Sequence, residues 1–310
     1  MKYPLSVLIL LILVAQIRNW NLFAHSVIAR MAEIELSKDP KSAEILQKVY
    51  SALSTLTHFF PEIKDSLLEA AVVPDMLNFN FKGFLAKYHY KDFPELYRND
   101  NPNFQFPEID DTNAEFALNS AISIIKDSLV PDSENQKYIK KGFVDSLMTR
   151  YVVHLVGDVH QPLHATSLFS EILQNGKLVN GDAGGNLISI FDPYKTNSKN
   201  LHSFWDNGLG MFPNVSKFPY DDEDKQQINR FAQNLSTEFP ASYFGAEVNQ
   251  LNHKVWIEES HRLASQITYA DIDILPVIRP EYVIIGRGVC KERVALAGYR
   301  LANLLRDLFK

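Results

Sequence analysis

Apolar residues recur at helical spacing along most of the chain, in separate runs divided by polar punctuation. Val27, Ile28, Met31, Ala32 and Ile34 mark one face of a helix from about Trp20 to Leu36. Pro40 opens a second, carried by Ile45, Leu46, Val49 and Tyr50. Leu67, Leu68, Ala71 and Val72 form a third stripe that Pro74 terminates. Phe116, Ala117, Ala121, Ile124 and Ile125 predict a fourth helix after the start signal Asp110–Thr112. Residues 136–160 form a long fifth that Pro162 stops, and Lys291 to Leu308 a last one carrying Val294, Leu296, Ala297, Leu301, Leu304 and Leu305. Between them lie polar connectors, notably residues 98–112 and an irregular stretch from Ser167 to Gly245. Within that stretch Asn186 to Phe191 alternates enough for a short β-hairpin, with Gly184-Gly185 at the turn. The pattern predicts one mainly α domain with long loops, and such loops tend to build the site.

The N-terminus follows a different pattern. Lys2 precedes an uninterrupted apolar run from Val7 to Ala15, too short for the ~20 helical residues that span a bilayer. Residues 1–19 therefore read as a secretory signal, so the chain is expected to be secreted or held in the lumen of the secretory or endolysosomal pathway. A small-residue rule favours cleavage after Ala15, whereas cleavage after Asn19 would expose Trp20. The single cysteine, Cys290, forbids an intramolecular disulfide, so an exported chain needs packing or bound metal for its stability. Asn214-Val-Ser216 and Asn234-Leu-Ser236 are sequons that fit glycosylated surface loops.

At 46% hydrophobic residues over 310 positions, the chain has ample material for a core, which excludes disorder. Lys and Arg total 31 against 37 Asp and Glu, a formal charge of −6, so the basic surplus usual for gripping duplex nucleic acid is missing. If this chain handles phosphates, something other than Lys and Arg supplies the positive charge.

The richest chemistry lies in His154-Leu-Val-Gly-Asp158-Val-His160-Gln-Pro-Leu-His164. His154 and Asp158 are four apart and leave the same helix face, and Pro162 frees His164 to turn back toward them. His202-Ser-Phe-Trp-Asp206 repeats the spacing. One such pair alone reads as a surface ion pair. Two, set among Val152, Val153, Leu155, Leu201, Phe204 and Trp205, would cost several kcal/mol per buried ion, on the order of the desolvation penalty, unless a metal or partner compensates. The N and O donors are of the kind zinc prefers.

Trp20-Asn-Leu-Phe-Ala-His25, Val73-Pro-Asp75, Tyr88-His89-Tyr-Lys-Asp92, the segment His154 to His164, Gly184-Gly185-Asn186, Asn200-Leu-His202-Ser-Phe-Trp-Asp206 and Ala297-Gly-Tyr-Arg-Leu-Ala302 occur in that order. Together they closely resemble the S1/P1 nuclease family of zinc-dependent extracellular nucleases, over essentially all of residues 20–310. The resemblance implies the phospholipase C/P1 nuclease type of helical fold around a trinuclear metal cleft. It implies three Zn2+ ions. One would be held by Asp75, His89, His154 and Asp158, and a second by His164, His202 and Asp206. The third would take Asp158 as a bridge, His25, and the backbone amine and carbonyl of Trp20. His160 falls outside these sets and reads as a supporting residue, while His58, His253 and His261 default to surface or packing roles.

The implied reaction is hydrolysis of single-stranded DNA and RNA to 5′-phosphate products by a hydroxide shared between ions, the water's pKa falling from ~15.7 toward ~7 on zinc. Removal of phosphate from 3′-mononucleotides is implied as well. Asp92 matches a position that orients the water, or else caps a turn. Asn186 and Tyr90 match the base pocket, although Tyr90 also reads as a core aromatic. Two features depart from the family: Trp20 can ligate through its amine only if cleavage exposes it, and the disulfides of fungal and plant relatives are missing. A zinc-dependent phospholipase C is the alternative, opposed by Asp206 where that family has Glu and by the Trp20–His25 spacing. An exported zinc-binding or storage protein without turnover is a third reading.

Overall fold

The first two predicted helices begin where the sequence supplies a cap. The computed structural model describes residues 20–310 except 61–63, 65, 82, 130–138, 192–197, 214, 216–217 and 271–277. The expected signal segment, the Asn214 sequon and the start of the fifth helix lie outside the described residues. Helix α1 (Leu22–Leu36) starts at Asn21, whose side chain accepts from Ala24 N, and α2 (Pro40–Phe59) starts at Asp39, which accepts from Ser42 N. Helix α3 (Leu67–Ala70) is short, and α4 (Val73–Asn80) follows at once. Pro74 thus does more than end the third stripe. It sits in the first turn of α4, where a missing N–H costs nothing. Helices α5 (Ala114–Leu129) and α6 (Ile139–Asp158) answer to the fourth and fifth runs.

The loop-rich half holds more helix than its polarity suggested. Helix α7 (Leu201–Asp206) carries a capping box between Asn200 and Ser203. Helix α8 (Asp222–Glu238) lies inside the stretch expected to be irregular, with Asp221 as its cap and three acids in its first turn. It places the Asn234 sequon on an exposed helical turn rather than in a loop. Helices α9 (Ala241–Phe244) and α10 (His253–Leu263) follow. Helix α11 spans Pro280–Leu308, starting eleven residues before the expected Lys291. Its early part offers little apolar stripe to read, because Gly286, Arg287, Gly288, Lys291 and Glu292 interrupt it.

The sheet is also elsewhere than expected. Strand β1 (Phe93–Leu96) pairs in parallel with β2 (Thr166–Phe169), Phe93 opposite Thr166, so it is no hairpin. In the expected hairpin region Ser189 makes only an isolated antiparallel bridge to Asn200. Parallel pairing needs strands far apart in sequence, which local alternation cannot reveal. Its consequence is local to the chemistry: Lys91 N donates to His164 O (2.8 Å) and Phe93 N to Ala165 O (3.1 Å), tying the segment after His89 to the segment around His164. The core runs along α1, α6 and α11 and includes Trp20, Phe23, Ile28, Leu155, Leu301 and Leu305, all fully buried. No helix among the described residues is long and apolar enough to cross a membrane.

Candidate metal centre

Six elements each deliver one or two polar side chains to a single buried point between α1, α4, α6 and α7. α1 supplies His25, α4 Asp75, the 3-10 turn Ala86–His89 contributes His89, and the last turn of α6 gives His154 and Asp158. The 3-10 turn Pro162–His164 brings His164 back, as the proline predicted, and α7 offers His202 and Asp206. All eight are buried, from 0% exposure for His154 and Asp158 to 5% for His202.

Asp158 is the hub. Its Oδ2 lies 2.9 Å from both His89 Nδ1 and His154 Nε2, and its Oδ1 lies 3.3 Å from His25 Nε2 and 3.5 Å from His164 Nδ1. Asp75 Oδ1 approaches His154 Nε2 at 3.4 Å and His89 Nδ1 at 3.7 Å. At the other end His202 Nε2 stands 3.3 Å from Asp206 Oδ2, and His164 Nε2 3.8 Å from Asp206 Oδ1. Both i,i+4 pairs therefore form as their spacing predicted. The donors fall into three groups, each with its atoms within 4.8 Å of one another: His25, Asp75 and His154; His89, His154 and Asp158; His164, His202 and Asp206. The imidazoles stack as they converge, His25 on His154 at 3.9 Å and His164 on His202 at 5.1 Å. Close packing is built into the backbone: a Cβ at Gly157 would meet His25 Nδ1 at 2.8 Å.

Backbone carbonyls fix how these rings face. His154 Nδ1 is 2.6 Å from Ala71 O, His164 Nδ1 2.9 Å from His89 O, and His202 Nδ1 2.6 Å from Gly184 O. A carbonyl only accepts, so each Nδ1 carries the hydrogen and each Nε2 turns to the interior. This is the outer support that orients metal-ligating histidines. Gly184 reaches its place with φ +61°, and a Cβ there would stand 2.4 Å from Leu163 O. Gln161 Nε2 donates to Asp206 Oδ1 at 2.7 Å, leaving Oδ2 to face the cluster.

Electrostatics favours a bound cation. Burial pushes the Asp158 carboxyl up, but the imidazoles of His154 and His164 outweigh it and hold it well below the usual carboxylate range. For His154, burial works against charge, yet Asp158 and Asp75 raise it well above an ordinary histidine. Burial, reinforced by His154, lowers His25, while burial takes His164 down to about 3 and Asp206 up to about 6. Both ring nitrogens of His25, together with Asp158 Oδ1, His164 Nε2 and Asp206 Oδ2, are buried without a hydrogen bond. Buried polar atoms are almost always satisfied, and atoms that converge on one point are satisfied together by a cation. The residues fit a metal centre.

The remaining expected residues fall around this point. Trp20 is fully buried, its indole donating to Gly157 O at 3.0 Å, and Asn21 N donates to Asp206 O at 3.1 Å, which sets Trp20 and Asn21 beside both carboxylate-bearing turns. Asp92 and Tyr90 line a cavity of about 490 Å3 together with Asp110, Ser167, Ala183 and Leu187. Burial and the nearby Asp182 carboxylate raise Asp92 to about 7, against a smaller opposing pull from His202. Asn186 holds the turn at the cavity's edge, Nδ2 donating to Ala183 O at 2.9 Å while its buried Oδ1 has no hydrogen bond. His160 points away, toward Arg300 Nη1 (3.0 Å) and Val156 O (2.7 Å), so it supports the turn from behind. His261 packs on Phe93 and His253 on Trp256. Two supporting residues escaped the sequence reading, Gln161 and Asp182. Gln161 had a signal, its place between Asp158 and His164. The fully buried Asp182 accepts from Leu168 N (2.8 Å) and Tyr269 Oη (2.9 Å), partners too distant in sequence to be seen.

Comparison with known proteins identifies the family. Residues 20–310 match the family described as S1/P1 Nuclease. The chain belongs to the S1/P1 nuclease family. Among relatives, Endonuclease 4 of Arabidopsis thaliana is 28% identical across 71% of this chain and 69% of its own length. Endonuclease 5 of the same plant is 26% identical across 98% of this chain and 95% of its own. Nuclease S1 of Aspergillus oryzae is 26% identical over about half of each, covering 50% of this chain and 52% of its own. Membership of the S1/P1 nuclease family makes the protein a hydrolytic nuclease acting on phosphodiester bonds, and its three His/Asp groups are ones that could hold metal ions. The phospholipase C alternative is not favoured.

Proposed function

We propose that this nuclease cuts single-stranded DNA and RNA to 5′-phosphate products and also removes the phosphate of 3′-mononucleotides. We propose further that it does so with three zinc ions. The observation that carries the reading is the convergence of eight buried imidazole and carboxylate side chains, with Nε2 of His154, His164 and His202 turned inward by carbonyls. Asp75, His89, His154 and Asp158 would hold one ion and His164, His202 and Asp206 a second. Asp158, His25 and the Trp20 backbone would hold the third. Bound there, zinc would supply the positive charge that the acidic surface withholds from a phosphodiester and would make a water far easier to deprotonate.

The protein's own part is placement. Asp92, half-buried at the cavity, accepts a hydrogen bond from the attacking water and aims it. Tyr90 offers a face to an unstacked base, and Asn186, bonded to the cavity-lining Ala183, would present its side-chain amide to a base edge. A recessed cluster favours strands whose bases can splay, which is why single strands are the proposed substrate. Incubation with heat-denatured DNA, duplex DNA, 3′-AMP and lecithin tests the proposal. Cleavage of denatured DNA well ahead of duplex, with 5′-phosphate ends, is expected; equal rates on both forms, or turnover of lecithin alone, would overturn it.

A further inference from the structure

The chain leaves the cluster at Asp75 and returns to it at His89, and the excursion between them is unusually aromatic at its surface. Helix α4 carries the path outward from Asp75, a turn at Gly83 (φ +80°) reverses it, and the 3-10 turn Ala86–His89 leads back. Phe79 is four residues beyond Asp75, on the same helix face and about 6 Å of rise farther out. Asp75 is 2% exposed, but Phe79 is 40%, Phe81 56% and Phe84 79% exposed. Among the described residues eight Phe or Tyr side chains are at least 38% exposed, and four of them (Phe79, Phe81, Phe84 and Tyr90) fall within residues 79–90. A fifth, Phe116, stacks on Tyr88 of the same segment at 6.5 Å. Open aromatics gathered at one place mark a binding surface.

Charge decides between occupants. With 31 Lys and Arg against 37 Asp and Glu, the chain has no basic surplus to track a phosphate backbone away from the metal centre. Stacking on aromatic faces needs no such charge and tolerates every base. We infer that Phe79, Phe81 and Phe84 form a stacking ridge for unpaired bases flanking the bond to be cut, a binding site separate from the cavity beside Asp92. The inference rests on the proposed single-strand nuclease activity and gives that activity a dependence on strand length. Oligonucleotides long enough to lie across the ridge gain affinity from it; a 3′-mononucleotide, which cannot reach it, gains none.

The test compares Phe79→Ala, Phe81→Ala and Phe84→Ala with the unaltered, metal-loaded protein on octathymidylate, a dinucleotide and 3′-AMP. KM for the octamer is expected to rise roughly 5- to 100-fold, the effect of one lost stacking contact, with kcat and 3′-AMP turnover unchanged. Retained 3′-AMP turnover shows that the variants are folded. Phe84→Trp should keep the octamer KM and Phe84→Leu should not, which separates stacking from apolar contact. Tyr243→Ser, at an exposed aromatic on α9, serves as the surface control and should leave all three substrates alone. Equal KM for variant and parent on the octamer overturns the ridge, as does an equal loss on all three substrates. Phe84-dependent binding to phosphatidylcholine vesicles, or Phe84-dependent dimers by light scattering, overturns it in favour of a membrane or a second copy. A parent protein that cuts no nucleic acid overturns the proposed function and the ridge with it; a parent that cuts while the variants match it overturns the ridge alone.

Discussion

Asp158 touches four imidazoles, those of His25, His89, His154 and His164, all within 3.5 Å. Replacing it with Asn keeps the shape and removes the charge the four rings face. Asp158→Asn should therefore lose more activity than the ~10–100-fold typical of an outer supporting residue and release metal as well. Gln161→Ala, which frees Asp206 Oδ1 and uncaps Leu163 N ahead of His164, should fall within that ~10–100-fold range. Parallel measurements of kcat/KM and bound zinc check both, and intact activity in Asp158→Asn would contradict the role. Asp92 gives a pH test. Its carboxyl is raised, so its ionised form appears only as pH climbs, and activity that needs the carboxylate is lost as pH falls. Asp182→Asn removes a like charge that helps raise Asp92, so the acid limb of the pH–rate profile should move to lower pH. An upward move or none would contradict it. Five side chains of the cluster, His154, Asp158, His164, His202 and Asp206, were legible from residue type and helical spacing, whereas His25, Asp75 and His89 were expected only from the resemblance to the family. Asp182 was not legible, since its partners Leu168 and Tyr269 come from β2 and the segment after α10.

At the scale of elements, prolines and glycines do the positioning. α6 ends at Asp158 and Pro162 opens the 3-10 turn that lets His164 face Asp158, while Gly184 brings its carbonyl to His202 Nδ1. Gly184→Ala forces a side chain into positive φ and onto Leu163 O, so it should destabilise by roughly 1–3 kcal/mol and weaken metal retention. Thermal melts with and without added zinc check this; an unchanged melt would contradict it. Helices with broad apolar stripes, α1, α2, α5 and α6, could be read from periodicity. Helix α8 could have been: Ile228, Phe231, Ala232 and Leu235 sit at helical spacing, but a run of polar residues masks them. The start of α11 and the parallel pairing of β1 with β2 could not. The first lacks a stripe, and the second joins segments more than seventy residues apart.

For the whole molecule, the account turns on stability and charge together. Eight polar side chains buried at one point are costly for a free chain, and no intramolecular disulfide is possible with one cysteine. Metal bound there would contribute to folding as well as to catalysis, so a chelator should lower the melting temperature along with the activity. An unchanged melt in chelator would count against that coupling. On the proposed reading, the acidic balance of the chain is tolerable because bound metal would concentrate the positive charge inside. Elemental analysis of the purified, active protein reaches this claim most directly. About three zinc ions per chain are predicted, lost on chelation in step with activity and restored with it; fully active protein carrying no transition metal would contradict it.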